Sequence, residues 1–425
     1  MKKLVVLLLA TLVFLCGCEK EQMPEKKAPV SRYKSTGEYT DLGEHQLTWE
    51  ALEALPKKKA GMTAQEARQT AVDFWRYCKS ALWIPDVKYD IYKNENGVKV
   101  YKRSVEAGQV YGGLPYVSNA TGNIYRLLDF MDKETGVVDV TNAGRYPLTF
   151  GGMCSSGCYW AWARVMNSAD YQWTHTIVSS RGFIPVGPYT YDETIRRFSN
   201  EYGTHHVMEE NGEQIMYQSY AQLQIGDGLG YSRENGVGHI IMCTIAPHVE
   251  YLEDGTIDGE NSYIHLTDQG AKWTEGVTAD GLKYQYESSV DNKRTFAKLY
   301  SACFIPYTFA DLTGEEPIEE TEVSFSYSGD TITEDQLFTA KVTSNYFISD
   351  IYVYVYDRAG NEVYKHNARA YVPSTKELEV HRLIDKSFTW GDWEDLKAGG
   401  DYTVKVEVML GTGERPTLWE GKLIV

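Results

Sequence analysis

From residue 323 onward, apolar and polar positions alternate with a period of two. Val323, Phe325 and Tyr327 alternate with Ser; Ile351, Val353 and Val355 alternate with Tyr352, Tyr354 and Tyr356; Tyr402, Val404, Val406 and Val408 repeat the pattern. Successive strand residues point to opposite faces, so the pattern predicts antiparallel strands forming a sandwich over residues 318–425. Asp357-Arg-Ala-Gly360-Asn361 and Gly399-Gly400 serve as turns. Earlier in the chain the period changes. Ala67, Ala71, Phe74, Trp75 and Cys78 recur at helical spacing behind Thr63-Ala-Gln-Glu66, a sequence whose ends can cap each other's backbone N–H groups. A second helix is expected to begin at Cys154, where Ser155 and Ser156 suit a first turn and residues 159–166 contain no Pro. Strands are expected at 87–92, 98–101, 237–245 and 262–269, a short helix at 194–202, and an acidic linker at 314–322.

The first residues carry a different pattern. Lys2 and Lys3 precede an apolar run over residues 4–15, too short for a stable span and laid out as a secretory signal. It ends in Leu15-Cys16-Gly17-Cys18, which resembles a bacterial lipobox. The resemblance implies cleavage before Cys18 and a lipid on that thiol. The membrane partner is then reached through an anchor, at the cell envelope on the outer membrane, facing either the periplasm or the outside. Residues 1–18 are read as the signal. Residues 19–45, charged and with Pro24 and Pro29, read as a flexible tether.

Composition sharpens two points. The chain of 425 residues has a formal net charge of -17, which argues against a nucleic-acid partner, because phosphate contacts need a basic surface. Of its 7 cysteines, Cys16 and Cys18 belong to the leader. Cys78, Cys154, Cys158, Cys243 and Cys303 remain, an odd set that leaves at least one thiol unpaired in an oxidising compartment. No CxxC pair occurs, and no metal or cofactor is expected.

The chemistry concentrates in Phe150-Gly-Gly-Met153-Cys154-Ser-Ser-Gly157-Cys158. Cys154 at a helix start meets unpaired N–H groups and the positive end of the helix dipole, both of which favour a thiolate. Cys158 lies one turn on, on the same face, and reads equally as a small buried hydrophobe. Downstream, Leu223-Gln-Ile225-Gly226-Asp227 ends in a turn, Gly238-His239 opens a strand and Ile264-His265 lies on the next. Upstream, Tyr111-Gly-Gly-Leu-Pro115-Tyr116 is a turn flanked by aromatics. His205-His206 with Glu209 and Glu210 has metal-compatible helical spacing, but no third ligand is evident.

This order, over residues 63–312, resembles the NlpC-type papain-like cell-wall cysteine peptidases. In that family a Cys-Ser-Gly helix start carries the nucleophile, a Leu-x-Pro-Gly-Asp turn introduces the sheet, and Gly-His or Ser-His opens the base strand. The resemblance implies an α+β fold in which residues 108–314 form a papain-like domain, its antiparallel sheet packed on the Cys-bearing helix. An immunoglobulin-like sandwich follows, and Leu396 to Gly400 with Tyr402 resemble the leucine-glycine-tyrosine corner of such domains. Residues 46–107 belong to the catalytic domain or form a propeptide. The resemblance further implies Cys154 as nucleophile, His239 as base and His265 as the orienting residue, with Asp268 or Gln269 as alternatives. Tyr116, Ser155 and Asp227 fall at the substrate, a peptidoglycan stem peptide or another peptide. The chain departs from the family in having Met153 where Asp commonly precedes the cysteine, and Ile225 in place of Pro. Gly157-Cys158 and the following Ala-rich helix ending Arg164-Val165-Met166 are similar to streptopain-type peptidases, a reading that moves the nucleophile to Cys158. A non-catalytic cleft that holds a glycan or peptide is the third reading.

Overall fold

Both periods fold as elements, in an α+β arrangement with many strands and few helices. The computed structural model describes residues 33–425 apart from 96–97, 118–119, 141–149, 234–236 and 382–387; the signal, Cys18 and the first part of the expected tether lie outside the described residues. Tyr33, Tyr39 and Leu42, in the remainder of that tether, pack against Leu82, Ile84, Val110 and Val137.

Helix α1 (Trp49–Ala54) precedes α2 (Ala64–Ser80), which starts where its capping residues sit. The Glu66 N–H donates to Thr63 Oγ1 at 3.2 Å, and the Thr63 N–H donates to the Glu66 carboxylate at 2.7 Å. Two orphan donors are thereby satisfied reciprocally. After α2 come β1 (Leu82–Pro85), a separate hairpin of β2 (Tyr89–Glu95) and β3 (Val98–Val105), and β4 (Tyr111–Gly112). Helix α3 (Ile124–Asp129), β5 (Val137–Val138), α4 (Cys154–Trp162), β6 (Phe183–Pro185) and α5 (Thr204–Tyr220) follow. Then come β7 (Gly228–Ser232), β8 (Gly238–His248), β9 (Tyr263–Val277), β10 (Lys283–Thr295) and β11 (Ile305–Phe309). Without the hairpin these strands make one sheet in the order β5-β1-β4-β10-β9-β8-β7-β11-β6. The helix expected at 194–202 is absent. Asp192 Oδ1 instead accepts from the Thr194 N–H and hydroxyl in a tight local turn, and the helix begins at Thr204.

Helix α4 packs against α2 and against β8 and β9 of the sheet. Gly157 lets the two helices approach: a Cβ there would meet the Trp75 ring at 2.4 Å. The Trp75 indole N–H in turn donates to the Thr267 carbonyl on β9 at 3.1 Å. One small residue thus brings the helix that begins at Cys154 close to the strand that carries Asp268.

The period-two region folds as expected into strands. They are β12 (Val323–Phe325), β13 (Thr331–Thr333), β14 (Lys341–Ser344), β15 (Ile348–Tyr356), β16 (Glu362–Arg369), β17 (Glu377–Glu379), β18 (Phe388–Trp390), β19 (Tyr402–Leu410) and β20 (Thr417–Ile424). A three-stranded sheet, β12-β14-β17, and a six-stranded sheet, β13-β20-β19-β15-β16-β18, share one apolar core. Ile351, Val353, Val355, Val404, Val406 and Val408 fill it. The alternate face of β15 is buried as well, since Tyr352 and Tyr354 are enclosed rather than solvated.

What covers that face is the first part of the chain. Asp129, at the end of α3, accepts from Tyr352 (3.1 Å), Asn367 (2.8 Å) and the Lys365 ammonium (3.2 Å). Arg126 on the same helix pairs with Asp350 at 3.2 Å and donates to the carbonyls of Ser349 (3.1 Å) and Ala370 (2.9 Å). Arg369 adds a second cation beside Asp350 at 3.7 Å. Phe347 packs on Trp160 and Ala163, at the far end of the helix that Cys154 begins. All of these charges are nearly inaccessible, so each depends on its partner for the solvation it has lost.

Candidate active site

Met153 is the N-cap of α4 and has extended backbone, so Cys154 is the first helical residue. Met153 makes no side-chain cap hydrogen bond of the kind an Asp would supply. Ser156 does part of that work, its hydroxyl accepting from the Met153 N–H and donating to the Ala120 carbonyl, each at 3.0 Å. Across from this helix start, β8 opens on Gly238-His239, and β9 passes Asp268 alongside it.

These three side chains form a continuous chain. The Cys154 thiol lies close enough to the His239 ring for each to shift the other's proton affinity. His239 Nε2 lies 3.0 Å from Asp268 Oδ2, which leaves Nδ1 for the thiol. The second oxygen of Asp268 accepts from the Ser289 N–H (3.1 Å) and hydroxyl (2.6 Å), fixing the carboxylate from β10.

The electrostatics follow from these contacts. Burial alone would push the Cys154 thiol up, but the His239 charge, the hydrogen bond to its ring and the backbone N–H groups of Ile240 and Ser155 outweigh it, and the thiol ends below its ordinary value. Burial pulls His239 down, while the Cys154 thiolate and Asp268 raise it to about 9. Burial raises Asp268, but its hydrogen bonds to His239 and Ser289, with the His239 charge, hold it well below the usual carboxylate range. Each shift favours the charged form of its group: thiolate on Cys154, imidazolium on His239 and carboxylate on Asp268, in series.

Cys158 has none of this. Its thiol is fully buried, its partner is the Ile240 carbonyl at 3.9 Å, and burial together with the Cys154 charge pushes it far up. It fits the small-hydrophobe reading.

His265 is not beside His239; Asp268 has the orienting position. The two lie three residues apart on a strand whose side chains alternate in direction, so they face opposite sides of the sheet. His265 meets the ring edge of Tyr263 with centroids 5.5 Å apart. Gln269 is drawn elsewhere: it accepts from the Lys79 ammonium and donates to the Leu114 carbonyl at 2.6 Å. Asp227 is not at a substrate position either. It is 1% exposed and spent on Arg68 Nη1 (2.5 Å) and the Gln224 N–H (2.7 Å), tying the Gly226 turn to α2. Ser155 is buried, with its hydroxyl 3.0 Å from that of Tyr171.

The Gly112-Gly113-Leu-Pro115-Tyr116 turn does reach this region. Gly113 has φ +67°, and a Cβ there would meet the Lys79 backbone at 2.9 Å, so glycine is required. The Tyr116 N–H donates to Glu287 at 2.6 Å, and Tyr116 forms a β-bridge with Gly152, two residues before the cysteine. Lys79 lies beneath the site with its ammonium 4.0 Å from the centre of the Trp75 ring; burial lowers it to about 8, partly offset by Cys78, Cys158, Asp268 and Glu287.

Lys79, Tyr171 and Ser289 carry no motif that marks them in the sequence. Ser289 is hidden by strand irregularity. Counting back from the Asp280-Gly281 turn would set Asn292 opposite Asp268, whereas register shifts in the β9–β10 pairing bring Ser289 there.

Asp268→Asn removes the charge that raises His239 while leaving its shape. With less support, His239 loses its proton at lower pH and the Cys154 thiol ionises at higher pH. The pH profile of Cys154 alkylation is expected to move to higher pH, and the His239 imidazolium to lose its proton below about 9. An unchanged alkylation profile would rule out this coupling.

Comparisons of the chain with protein-family models, with curated proteins and with solved structures found no match.

Proposed function

We propose that this protein is a papain-like cysteine hydrolase of NlpC type, with an immunoglobulin-like sandwich behind it, that cleaves amide bonds in peptidoglycan stem peptides. The observation that supports this reading is the Cys154–His239–Asp268 chain at the junction of a helix start and two neighbouring strands. Nucleophile, base and orienting carboxylate stand in the order that acyl transfer requires.

In this mechanism the Cys154 thiolate attacks the amide carbonyl carbon, forming a carbon–sulfur bond. Negative charge moves to the carbonyl oxygen, for which the first N–H groups of α4 are available, since a helix start has no internal acceptors for them. The imidazolium of His239 then gives its proton to the leaving nitrogen as the carbon–nitrogen bond breaks. Water attacks the resulting thioester with His239 as base, releasing the carboxylic acid and restoring the ion pair. Asp268 keeps the ring aligned and stabilises its charged form throughout. The stem-peptide substrate and the envelope location, through lipid on Cys18, follow from the sequence resemblances.

The test is release of new amino groups from purified stem peptides by the wild-type protein and none by Cys154→Ala. Retention on cell-wall material with no release by either would favour the non-catalytic reading.

A further inference from the structure

We propose that the C-terminal sheets supply one wall of the substrate cleft, with Tyr371 as a residue that positions an extended peptide beside Cys154. This rests on the hydrolase reading above.

Tyr371 follows the end of β16, and a series of backbone contacts carries it to the nucleophile. Its carbonyl accepts from the Thr121 hydroxyl. Thr121 pairs across a β-bridge with Gly152, the residue that also bridges Tyr116 and stands two before Cys154. The preceding carbonyl, that of Ala370, accepts from Arg126 at 2.9 Å, and Arg126 is itself anchored to Asp350. The segment bearing Tyr371 is therefore pinned to the strand-like stretch that leads into the active helix, by groups on both sides of the seam.

The ring is accessible to a ligand: Tyr371 is 54% exposed although its backbone is held. Cys154, Tyr371 and Tyr116 are all close enough to Tyr171 for their charges to raise its hydroxyl, and Tyr171 bonds to Ser155 next to the nucleophile. Trp173 meets the Tyr171 ring at 5.7 Å between centroids. Aromatic side chains from three parts of the chain, residues 116, 171–173 and 371, thus interact through Tyr171, whose hydroxyl meets Ser155 beside the nucleophile. Flat faces with polar tips grip an extended peptide through its apolar side chains and its amide groups, and an exposed member loses water when the peptide arrives.

The test separates reaching the thiol from filling the cleft. Iodoacetamide is small and reports the Cys154 thiolate alone, whereas an epoxysuccinyl-leucyl amide must occupy the cleft before its epoxide is opened by the thiolate. Tyr371→Ala is expected to leave alkylation by iodoacetamide within about twofold of wild type and to slow inactivation by the peptidyl epoxide about tenfold. Tyr371→Phe, which keeps the ring, is expected to stay within about threefold. The proposal is overturned if the epoxide rate is unchanged in Tyr371→Ala, if both rates fall together, or if the peptidyl epoxide does not react with the wild type. A wild-type Cys154 that iodoacetamide does not label at neutral pH would instead overturn the hydrolase reading itself.

Discussion

Cys154→Ala is expected to lower the rate of amide hydrolysis on the order of 10⁶-fold, the scale on which removing a covalent nucleophile acts. Cys158→Ala is expected to leave it within about threefold. The two residues sit one turn apart on the same helix, both nearly inaccessible, so burial does not distinguish them. Their partners do. Cys154 stands beside His239 and the backbone N–H groups of Ile240 and Ser155, which favour negative sulfur. Cys158 faces the Ile240 carbonyl, which disfavours it. Measuring kcat/KM for both variants on one substrate decides the matter: loss confined to Cys158→Ala would transfer the chemistry one turn into the helix.

Asp350→Ala is expected to destabilise the fold by about 3–5 kcal/mol, the cost of leaving a buried ion without its partner. Asp350 is fully buried and faces two guanidinium groups, Arg126 at 3.2 Å and Arg369 at 3.7 Å. Removing it strands both cations in a seam with little access to water. Lys341→Ala, which breaks a pair exposed at 44% and 58% with Glu377, is the control and should scarcely move the unfolding midpoint. Chemical denaturation of the two variants measures the contrast, and a loss below about 1 kcal/mol for Asp350→Ala would show that the seam tolerates unpaired charge. The same variant loosens Arg126, whose guanidinium holds the carbonyls of Ser349 and Ala370, and so reaches the segment carrying Tyr371.

How much of this was legible in the sequence depends on the range of the interaction. The capping box at Thr63, the helix start at Cys154 and the strand opening on His239 are local patterns, and each folds where its pattern lies. The alternation in β15 correctly separates Ile351, Val353 and Val355 from the tyrosines. It does not reveal that the tyrosine face is covered too, because Tyr reads the same whether it meets water or the carboxylate of Asp129. The choice between His265 and Asp268 turns on which residues of β9 share the sheet face that carries His239. Ile264, Leu266, Thr267 and Gln269 are all buried, so that strand has no solvent side from which a reader could set the phase. Asp227 ends a Gly-Asp turn that reads as functional from its neighbours alone, but its partner Arg68 lies far away in sequence, on α2.

The most direct test of the central claim is the pH dependence of Cys154 alkylation by iodoacetamide, with labelling assigned by peptide mapping. An ion pair with His239 predicts a rate that is already high near neutrality and nearly flat between about pH 6 and 8. An isolated thiol would instead gain about tenfold per pH unit across that range, and that result would contradict the account.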